Sequence, residues 1–435
     1  MISKDSPIAI AGSGAWGLST ALHLLNAGYT NITVFDRAET IPSPYSAAND
    51  LNKIVRPEYE DPFYTNLALQ AIKAWQTPLF GPYYHHTGYV VAATGSAPVK
   101  AVEHLEAALS SIQSHPELSP GIRRLDSPED FKTYTWQYSG PLTGFKGYFN
   151  PTAGYAHSAD ALHGIWLHCA SRGVRFILGD SIGKVSAIIY SGSRATGLVT
   201  ADGRRHLADL VIVALGAHAA SLIPSVGKFA TARAWSVAHI QLSPSETNFL
   251  RGIPTTNIRD LGFFFEPDPA TNLFKLCPLG VGYTNTSPST GISLPPMDIL
   301  PPPQDFIPWE DEVKLRRLLR ETFPWMADRP FVDKKLCWFS DTEDSDYLVD
   351  FVPDTESSVI CLSGDSGHGF KMMPVFGEWV VDLIRKGKQN EGRWKWKNVD
   401  LTGKNWGEGV SWRIGKGSEL KELLAAKDKL VKARL

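Results

Sequence analysis

The stretch that decides the fold is residues 8–37, IAIAGSGAWGLSTALHLLNAGYTNITVFDR. A short apolar run leads into a glycine-rich turn, a helix-patterned segment follows, and a second apolar run ends in an acid. Gly12 permits a tight turn, Gly14 lets the backbone approach a pyrophosphate, and Gly17 lets the helix pack closely against the strand. Asp36, about 20 residues past the turn, can accept hydrogen bonds from ribose hydroxyls. The stretch predicts a dinucleotide-binding strand–helix–strand unit and leaves FAD and NAD as alternatives.

The composition is that of a globular protein with a sizeable core. The chain has 435 residues, 43% of them hydrophobic and 20% charged, with a formal net charge of −2. This length favours two domains, and a near-neutral charge is unlike the basic face of a nucleic-acid-binding protein. No apolar run approaches the roughly 18 residues of a membrane helix, and the first strand begins too early to leave room for a secretory signal. The four cysteines lack metal-ligand spacing, so we expect a reducing compartment and no metal site. From the charge and the absence of a long apolar run we expect neither nucleic acid nor membrane as a partner.

Later segments alternate between apolar runs and helical patterns. The fully apolar run at residues 210–215 is typical of a strand covered on both faces, so we place it back in the nucleotide domain. Helices are predicted over residues 61–75, 98–113, 127–133, 157–171, 310–323 and 375–386. The predicted domains are a nucleotide domain made of residues 1–84, 149–225 and 336–390, an inserted substrate domain made of residues 85–148 and 226–335, and a C-terminal segment, residues 391–435.

Four stretches carry a resemblance to a known family. They are GSGAWG at residues 12–17 with Asp36, NDLNKI at residues 49–54, LCW at residues 336–338 with Asp341 and Thr342, and GDSGHGFK at residues 364–371. Together they resemble the sarcosine oxidase branch of the D-amino-acid oxidase superfamily, and within it the fungal fructosyl amino acid oxidases, or amadoriases. The resemblance implies an α/β fold. Its Rossmann-like FAD-binding domain would be assembled from non-contiguous segments and would carry an inserted substrate domain built on a mixed or antiparallel sheet.

The resemblance also implies how the cofactor is held. FAD would be bound covalently, through a thioether from Cys337 to the flavin 8α-methyl group, whereas a free cysteine is more often a small buried hydrophobe. Gly367, Gly369 and Phe370 would bring backbone against the flavin, and Val185 would meet the adenine. The residues expected to contact FAD are Gly12, Gly14, Ala15, Trp16, Gly17, Asp36, Arg37, Asn49, Lys53, Val185, Gly216, Cys337, Asp365, Gly367, Gly369, Phe370 and Lys371.

Catalytic and substrate-binding roles follow from the same resemblance. Lys275 is expected to be the lysine over the flavin that assists oxygen reduction, and Lys53 is a second candidate near the oxygen path. The alternative for Lys275 is a lysine at a strand edge that faces solvent. Arg413 is expected to anchor the substrate carboxylate through its guanidinium fork, with Lys371 contacting the substrate beside the flavin.

One departure from the family pattern bears on the substrate. Amadoriases carry an acidic residue shortly after the oxygen lysine, but here Leu279 takes that place. The change removes a polar contact to a sugar that is worth about 1–3 kcal/mol. The pocket therefore suits an N-methyl or otherwise apolar secondary amine of an amino acid, with Tyr89 and Trp235 as expected substrate contacts.

These features predict an FAD-dependent oxidase of the secondary amines of amino acids, N-substituted or fructosyl. A hydride leaves the C–N bond for the flavin, the imine is hydrolysed, and oxygen is reduced to hydrogen peroxide. Saccharopine, pipecolate and N-methyl amino acids are alternative substrates, and a biosynthetic enzyme would instead use the imine for ring closure. The rival classes are an NAD-dependent dehydrogenase, which would share only the first motif, and a non-catalytic FAD-binding protein.

The last three residues, Ala433, Arg434 and Leu435, have the small–basic–leucine pattern of a peroxisomal address. The alternative is a chance tripeptide on a basic, amphipathic last helix that begins near Ser418. We expect a monomer that the peroxisomal import receptor recognises, and the peroxisome suits an enzyme that produces peroxide. If the tripeptide is not an address, we expect a cytoplasmic protein.

Overall fold

The structure, a computed structural model, describes residues 2–296, 306–404 and 406–425. Within these ranges the strands are β1 (Ile8–Ala11), β2 (Ile32–Asp36), β3 (Lys53–Val55), β4 (Tyr84–His85), β5 (Tyr89–Ala93), β6 (Arg123–Leu125), β7 (Lys146–Asn150), β8 (Gly154–Ala156), β9 (Arg175–Leu178), β10 (Val185–Ser191), β11 (Arg194–Thr200), β12 (Arg205–Leu207), β13 (Leu210–Val213), β14 (Ala230–Gln241), β15 (Thr255–Ile258), β16 (Gly262–Phe264), β17 (Leu273–Pro278), β18 (Tyr283–Thr284), β19 (Val332–Thr342), β20 (Leu348–Phe351), β21 (Val359–Ser363) and β22 (Ser418–Glu419). The α-helices are α1 (Ala15–Asn26), α2 (Pro62–Trp75), α3 (Val99–Ser114), α4 (Pro128–Tyr134), α5 (Ser158–Ser171), α6 (Ala219–Leu222), α7 (Pro244–Phe249), α8 (Trp309–Thr322) and α9 (Met373–Lys386).

A six-stranded sheet is built around the opening motif. Its strand order is β20–β21–β13–β1–β2–β9, and every neighbouring pair is parallel except β20 with β21. Side chains of β1 alternate between two buried clusters, with Ile8 and Ile10 against helices α1, α5 and α9 and Ala9 on the opposite face with β11. Because both faces are covered, the central strands β1 and β13 are apolar throughout. The strands come from separate regions of the chain, so the predicted assembly from non-contiguous segments is confirmed.

The second large sheet holds ten strands. Its order is β22–β18–β14–β17–β16–β15–β5–β7–β6, and β19 also pairs with the long β14. Two of its pairs, β15 with β5 and β18 with β22, are parallel and the others are antiparallel. Helix α8 packs against β17 and α3 against β5. The sheet is therefore mixed, as predicted for the inserted domain.

The change from the large sheet to the six-stranded sheet does not fall at residue 336. Strand β19, which carries Cys337, pairs with β14 and so belongs to the large sheet. The next strand, β20, already belongs to the six-stranded sheet. The chain therefore passes from one sheet to the other in the segment between Thr342 and Leu348. The pattern of a strand does not show which sheet it joins, because pairing partners lie far away in sequence.

The ends of the predicted helices have local causes. Helix α2 begins at Pro62 because the side chain of Asp61 caps it, accepting a hydrogen bond from the Phe63 amide at 2.9 Å. Helix α9 ends at Gly387, which adopts a φ of 66° that favours glycine.

The predicted last helix is displaced and only partly described. Ser418–Glu419 form β22 and residues 420–425 are helical, while Ala433–Leu435 lie outside the described residues. No helix in the described ranges is long and apolar enough to cross a membrane. The described side chains also contain no group of three or more His, Cys, Asp or Glu placed to hold a metal ion.

Candidate active site

A cavity of about 610 Å³ extends from the edge of the six-stranded sheet to the large sheet. Strands β1, β2, β13 and β21 are parallel, so the residues that follow them meet at one edge. Gly12, Asp36, Gly216 and Asp365 lie at the ends of these strands and line the cavity. The walls at the other end include Lys53, Trp235, Lys275, Cys337, Phe370 and Lys371.

The glycine turn after β1 leaves no room for side chains at two positions. Gly12 has a φ of 106°, and a Cβ there would lie 2.4 Å from the carbonyl oxygen of Ala214. A Cβ on Gly17 would lie 1.9 Å from the carbonyl oxygen of Gly12. Gly14 precedes the first turn of α1 and lines the cavity, so backbone amides at the helix N-terminus face a ligand there.

Charged side chains beside this turn fit the adenosine half of a dinucleotide. Asp36 Oδ2 accepts hydrogen bonds from the Ser13 amide at 2.9 Å and from Ser13 Oγ at 2.7 Å, and Oδ1 accepts one from the Ala38 amide at 2.9 Å. These bonds orient the carboxylate while leaving one acceptor site on Oδ1 for a ribose hydroxyl. Arg37 pairs with Asp180 at 2.7 Å, but its Nη1 is buried without a hydrogen-bond partner. An unpaired buried donor at the cavity wall is what a bound phosphate or nucleoside group would satisfy.

Cys337 lies at the far end of the cavity. It is directly opposite Trp235 in the β14–β19 pairing, and its Sγ donates a hydrogen bond to the carbonyl oxygen of Ala47 at 3.5 Å. The Lys53 ammonium lies 3.7 Å from the same sulfur. The cysteine sulfur and a lysine ammonium therefore lie side by side in the wall of the cavity.

A buried carboxylate, Asp50, lies near Cys337 and pairs with three lysines. Lys275 Nζ lies 2.6 Å from Asp50 Oδ2 and also 2.6 Å from the carbonyl oxygen of Asn52. Lys53 Nζ lies 2.8 Å from the same carboxylate oxygen, and Lys335 Nζ lies 3.7 Å from Oδ1. Lys275 is fully buried between strands, so the alternative of a solvent-facing lysine at a strand edge is wrong.

The three lysines and Asp50 affect one another's protonation. Burial raises the pKa of Asp50, but Lys275, Lys53 and Lys335 outweigh it and hold that pKa well below its usual range. For Lys275 burial outweighs the attraction of Asp50, so its pKa is lowered. For Lys53 the charges of Asp50 and Cys337 outweigh burial and raise the pKa. Lys53 therefore keeps its proton more firmly than Lys275 does.

The GDSGHGFK segment packs its backbone against aromatic rings of the cavity wall. A Cβ on Gly367 would lie 2.4 Å from the Trp235 ring, and one on Gly369 would lie 2.7 Å from the Trp16 ring. The carboxylate of Asp365 accepts a hydrogen bond from the Gly367 amide at 3.1 Å. Burial raises the pKa of Asp365 to about 6. These glycines allow the close approach of backbone to rings that the segment needs.

Lys371 and Arg56 place positive charge on the same cavity. Lys371 Nζ donates hydrogen bonds to the hydroxyl of Tyr59 at 2.9 Å and to the carbonyl oxygen of His368 at 3.0 Å. Burial, followed by the charge of Arg56, lowers the pKa of Lys371 well below its usual range. Arg56 lies over the Tyr59 ring, with 5.0 Å between Cζ and the ring centre. Neither cation has a carboxylate within ion-pair distance among the described residues, so both can receive an anionic group.

Most predicted site residues line this cavity. Those that do are Gly12, Gly14, Ala15, Trp16, Asp36, Arg37, Lys53, Val185, Gly216, Trp235, Lys275, Cys337, Asp365, Gly367, Phe370 and Lys371, together with Leu279. Those that do not are Gly17, Asn49, Tyr89, Gly369 and Arg413. Gly17 and Gly369 support the wall through packing, and Tyr89 is buried in β5 behind it. The Asn49 carbonyl accepts a hydrogen bond from Lys335 at 3.2 Å.

The expected role of Arg413 does not match its position. Its two terminal guanidinium nitrogens donate to the two carboxylate oxygens of Asp341. Arg233 Nε donates to Asp341 as well, at 2.9 Å, and all three side chains are fully buried. The guanidinium of Arg413 is committed to this ion pair and is not free to bind a substrate carboxylate.

Sequence reasoning missed Asp50, Arg56, Glu58 and Arg259. Arg56 follows Lys53 at the end of β3, and Asp50 lies within the NDLNKI stretch that carried the resemblance. For Arg56 and Asp50, the available signal in the sequence was a charged side chain close to a short apolar strand. Arg259 directly follows the buried strand β15, and a charged residue at the end of a buried strand was the corresponding signal.

Comparisons with known proteins identify the family of the chain. The sequence profile of the FAD dependent oxidoreductase family (DAO) matches residues 7–383. L-saccharopine oxidase of Schizosaccharomyces pombe is 33% identical over 413 residues, which cover 90% of this chain and 93% of that protein. An amino acid oxidase of Aspergillus flavus is 26% identical over 449 residues, covering 87% of this chain and 92% of that protein. The crystal structure of fructosamine oxidase (Amadoriase II) from Aspergillus fumigatus superimposes with a TM-score of 0.87 at 32% identity, covering 97% of each chain.

The fold and the site define a flavoenzyme that acts on small molecules. The chain belongs to the DAO family of FAD dependent oxidoreductases, and its relatives are amine and amino acid oxidases. The predicted family, fold class and enzyme class are thereby confirmed, and the NAD-dependent alternative is excluded.

Proposed function

We propose that this protein is an FAD-dependent oxidase of secondary amines of amino acids that releases hydrogen peroxide. The observation that carries the proposal is the content of one cavity. Lys371 and Arg56 offer positive charge without a carboxylate partner among the described residues, and Lys275 and Cys337 line the same space. A substrate carboxylate held by Lys371 and Arg56 would fix the neighbouring C–N bond in this space.

Cys337 is the proposed attachment point for FAD, through a thioether to the flavin 8α-methyl group. The position of its sulfur in the cavity wall and the Lys53 ammonium 3.7 Å away support this assignment. FAD, when bound, accepts two electrons from the amine and passes them to oxygen. Gly12, Gly14 and Asp36 would hold its phosphates and ribose at the other end of the cavity.

The chain's own polar groups have the remaining tasks. Lys275, held by Asp50 at 2.6 Å, keeps a cation in the cavity wall that would stabilise negative charge on oxygen as it is reduced. Lys371 and Arg56 orient the substrate. The oxidised product is an imine, which water hydrolyses without a strong protein base.

Saccharopine is a second candidate substrate beside fructosyl amino acids. Leu279 lines the cavity and offers no polar contact where amadoriases are expected to carry an acid. The identity of 33% to an L-saccharopine oxidase, over 90% of this chain, favours the same alternative. Pipecolate and N-methyl amino acids are the further substrates to compare, and the mass of the product separates imine hydrolysis from ring closure.

A peroxide-coupled screen tests the activity. Purified holoenzyme is incubated with saccharopine, fructosyl valine, fructosyl lysine, pipecolate, sarcosine and N-methyl aromatic amino acids. At least one of these secondary amines should cause release of peroxide. In the Lys275→Met variant the same substrate should still reduce the flavin in the absence of oxygen, but the reduced flavin should then react slowly with oxygen. Absence of peroxide with every amine would refute the proposal.

The covalent link has its own test, with a matched control. Cys277 lines the same cavity but lies on β17, so the Cys277→Ala variant should keep its flavin after acid precipitation. The Cys337→Ala variant should release the flavin into the supernatant. Release of the flavin from unaltered protein would show that no thioether exists.

We also propose a peroxisomal monomer, addressed by Ala433, Arg434 and Leu435. A fluorescent protein fused ahead of the last 15 residues should enter peroxisomes, and removal of the tripeptide should leave it in the cytoplasm. Light scattering of the purified chain should give a mass near the 47.8 kDa of one copy.

A further inference from the structure

A third cation, Arg259, lies beside Arg56 and Lys371 and has no acid of its own. Its side chain is 5% exposed and lines the cavity. Nη2 donates a hydrogen bond to the carbonyl oxygen of Trp412 at 3.1 Å, and Nη1 lies 3.5 Å from Asn257 Oδ1. Nε is buried without a partner. Among the described residues no carboxylate lies within ion-pair distance of this guanidinium.

Three acids of this region, Asp260, Glu60 and Glu58, form no ion pair with Arg259, although the charge of Glu60 acts on its pKa from a greater distance. Asp260 accepts hydrogen bonds from the Thr94 amide at 3.0 Å and from Thr94 Oγ1 at 2.6 Å. Glu60 is engaged by His104 Nδ1 at 2.6 Å and by Ser411 Oγ at 3.0 Å. Glu58 accepts a hydrogen bond from Asn150 at 2.5 Å, and burial raises its pKa. A carboxyl group that resists ionisation provides little compensating negative charge.

Arg56 repels each of the other two cations. The charge of Arg56 helps to lower the pKa of Lys371, and burial, with a smaller contribution from Arg56, lowers the pKa of Arg259 to about 10. Buried charges are costly unless they are paired. Elsewhere this chain pairs its buried arginines, since Arg233 and Arg413 share Asp341. An arginine left unpaired at a cavity wall therefore points to an anion that arrives from outside the protein.

We propose that Arg259 binds a second carboxylate of the substrate, so that this cavity selects secondary amines with at least two carboxylates. Lys371 and Arg56 hold the carboxylate next to the reacting C–N bond, and Arg259, with its free Nε and the neighbouring Asn257, holds the distal one. The inference rests on the proposed amine oxidase activity and adds its substrate class. Arg259 is a specificity-determining residue in this scheme and takes no part in the oxidation.

Binding to the unaltered holoenzyme is the first test. Dicarboxylates of increasing length, from glutarate to pimelate, are titrated by calorimetry beside their monoamides, which keep the shape but lose one charge. One length of dicarboxylate should bind about 10- to 100-fold more tightly than its monoamide, the factor expected for a hydrogen-bonded charged group. Equal affinities within every pair would overturn the proposal.

Variants then assign the difference to Arg259. In Arg259→Gln the preference for the dicarboxylate should disappear, while the affinity for the monoamide stays the same. Arg251→Gln, which changes an exposed arginine on a neighbouring turn, should keep the preference. If Arg259→Gln weakens both ligands equally, the arginine has a general structural role and the proposal fails. Should that variant not fold, Arg259→Met, which keeps the length of the side chain but loses its charge, takes its place, and a retained full preference in it would overturn the assignment.

Turnover separates this inference from the proposed function. N-methyl-L-glutamate and N-methyl-L-glutamine differ only in the distal group, and saccharopine carries three carboxylates. Arg259→Gln should raise the KM for the carboxylate substrates about 10- to 100-fold with little change in kcat, and leave the amide substrate unaffected. Peroxide release with no difference between acid and amide would contradict the inference alone. No peroxide from any secondary amine would contradict the proposed function instead.

Discussion

The substitution Asp50→Asn removes the charge that holds three lysines together and keeps nearly the same shape. Lys275 is the critical partner, because it is 1% exposed and lies 2.6 Å from the carboxylate. Lys53 and Lys335 are 23% and 34% exposed and can still be hydrated. The variant therefore leaves one ammonium group buried without a counter-charge.

The size of the effect has two independent bounds. Removing one partner of a buried ion pair costs about 3–5 kcal/mol. Lys275 can escape this cost by losing its proton, and at pH 7 that loss costs about 5 kcal/mol for a lysine of ordinary pKa. The free energy of unfolding should thus fall by about 3–5 kcal/mol at pH 7. For a chain of 435 residues this corresponds to about 3–5 °C in the unfolding midpoint.

The deficit should also depend on pH in a defined direction. If Lys275 is neutral in the folded variant and protonated in the unfolded chain, the unfolded state binds the extra proton. Stability then rises with pH, so the gap to the unaltered protein should shrink as the pH is raised from 7 towards 10. The charge-dependent reaction of the reduced enzyme with oxygen should be slower at neutral pH and should recover at lower pH, where Lys275 regains its proton.

Urea unfolding of the flavin-loaded proteins, followed by tryptophan fluorescence between pH 6 and pH 10, measures these differences. The double variant Asp50→Asn/Lys275→Met is the control, because without the buried ammonium the asparagine should cost much less than in the single variant. A loss below about 1 kcal/mol in the single variant, or an equal loss in the Lys275→Met background, would refute this account of the cluster.

Gly17→Ala should abolish folding or flavin binding, because its Cβ would lie 1.9 Å from a backbone oxygen. The control Gly387→Ala, whose Cβ has no neighbour within 4 Å, should cost only about 1 kcal/mol of stability and keep the flavin. Flavin absorbance and the unfolding midpoint measure the two effects. Arg413→Met should lower the free energy of unfolding by about 1.5–3 kcal/mol, since it removes hydrogen bonds to Asp341 but leaves Arg233 as the counter-charge. A large rise in KM without a loss of stability would restore the role of Arg413 as a carboxylate anchor. Carboxylates that lack an amine should bind more weakly as the pH rises, because the pKa of Lys371 is lowered and its ammonium loses its proton below the usual lysine range. Calorimetric titrations measure this dependence, and Lys371→Arg should remove it.

Local features of the sequence were sufficient for most of the fold. The opening glycine turn, the Asp61 cap before α2 and the glycine after α9 act on adjacent residues, so their effects can be inferred without the rest of the chain. The pairing of β19 with β14 could not be inferred in this way. It joins Cys337 to Trp235 across 102 residues of chain, and a strand pattern names no partner.

The site was predictable where residues lie in a recognisable motif, and unpredictable where a distant charge decides their role. Arg413 was expected in the cavity because an arginine fork suits a carboxylate. Its actual partner, Asp341, lies 72 residues earlier in the chain and neutralises it. Arg259 was overlooked for the converse reason, because only the structure reveals that no carboxylate of the described chain lies within ion-pair distance of it.

Two buried carboxylates, Asp341 and Asp50, form charge clusters with different roles, one in stability and one at the active site. Asp341, Arg233 and Arg413 are fully buried and none of them lines the cavity, so this cluster acts on the stability of the fold. Asp50 is as deeply buried, but two of its lysines, Lys53 and Lys275, line the cavity, and Lys53 lies 3.7 Å from a cysteine in the cavity wall. Both clusters have more cations than anions, but only the second opens onto a space that can admit a ligand. Excess charge at a cavity wall is therefore the stronger guide to the active site, because the protein keeps it at a cost to stability that only a bound partner offsets.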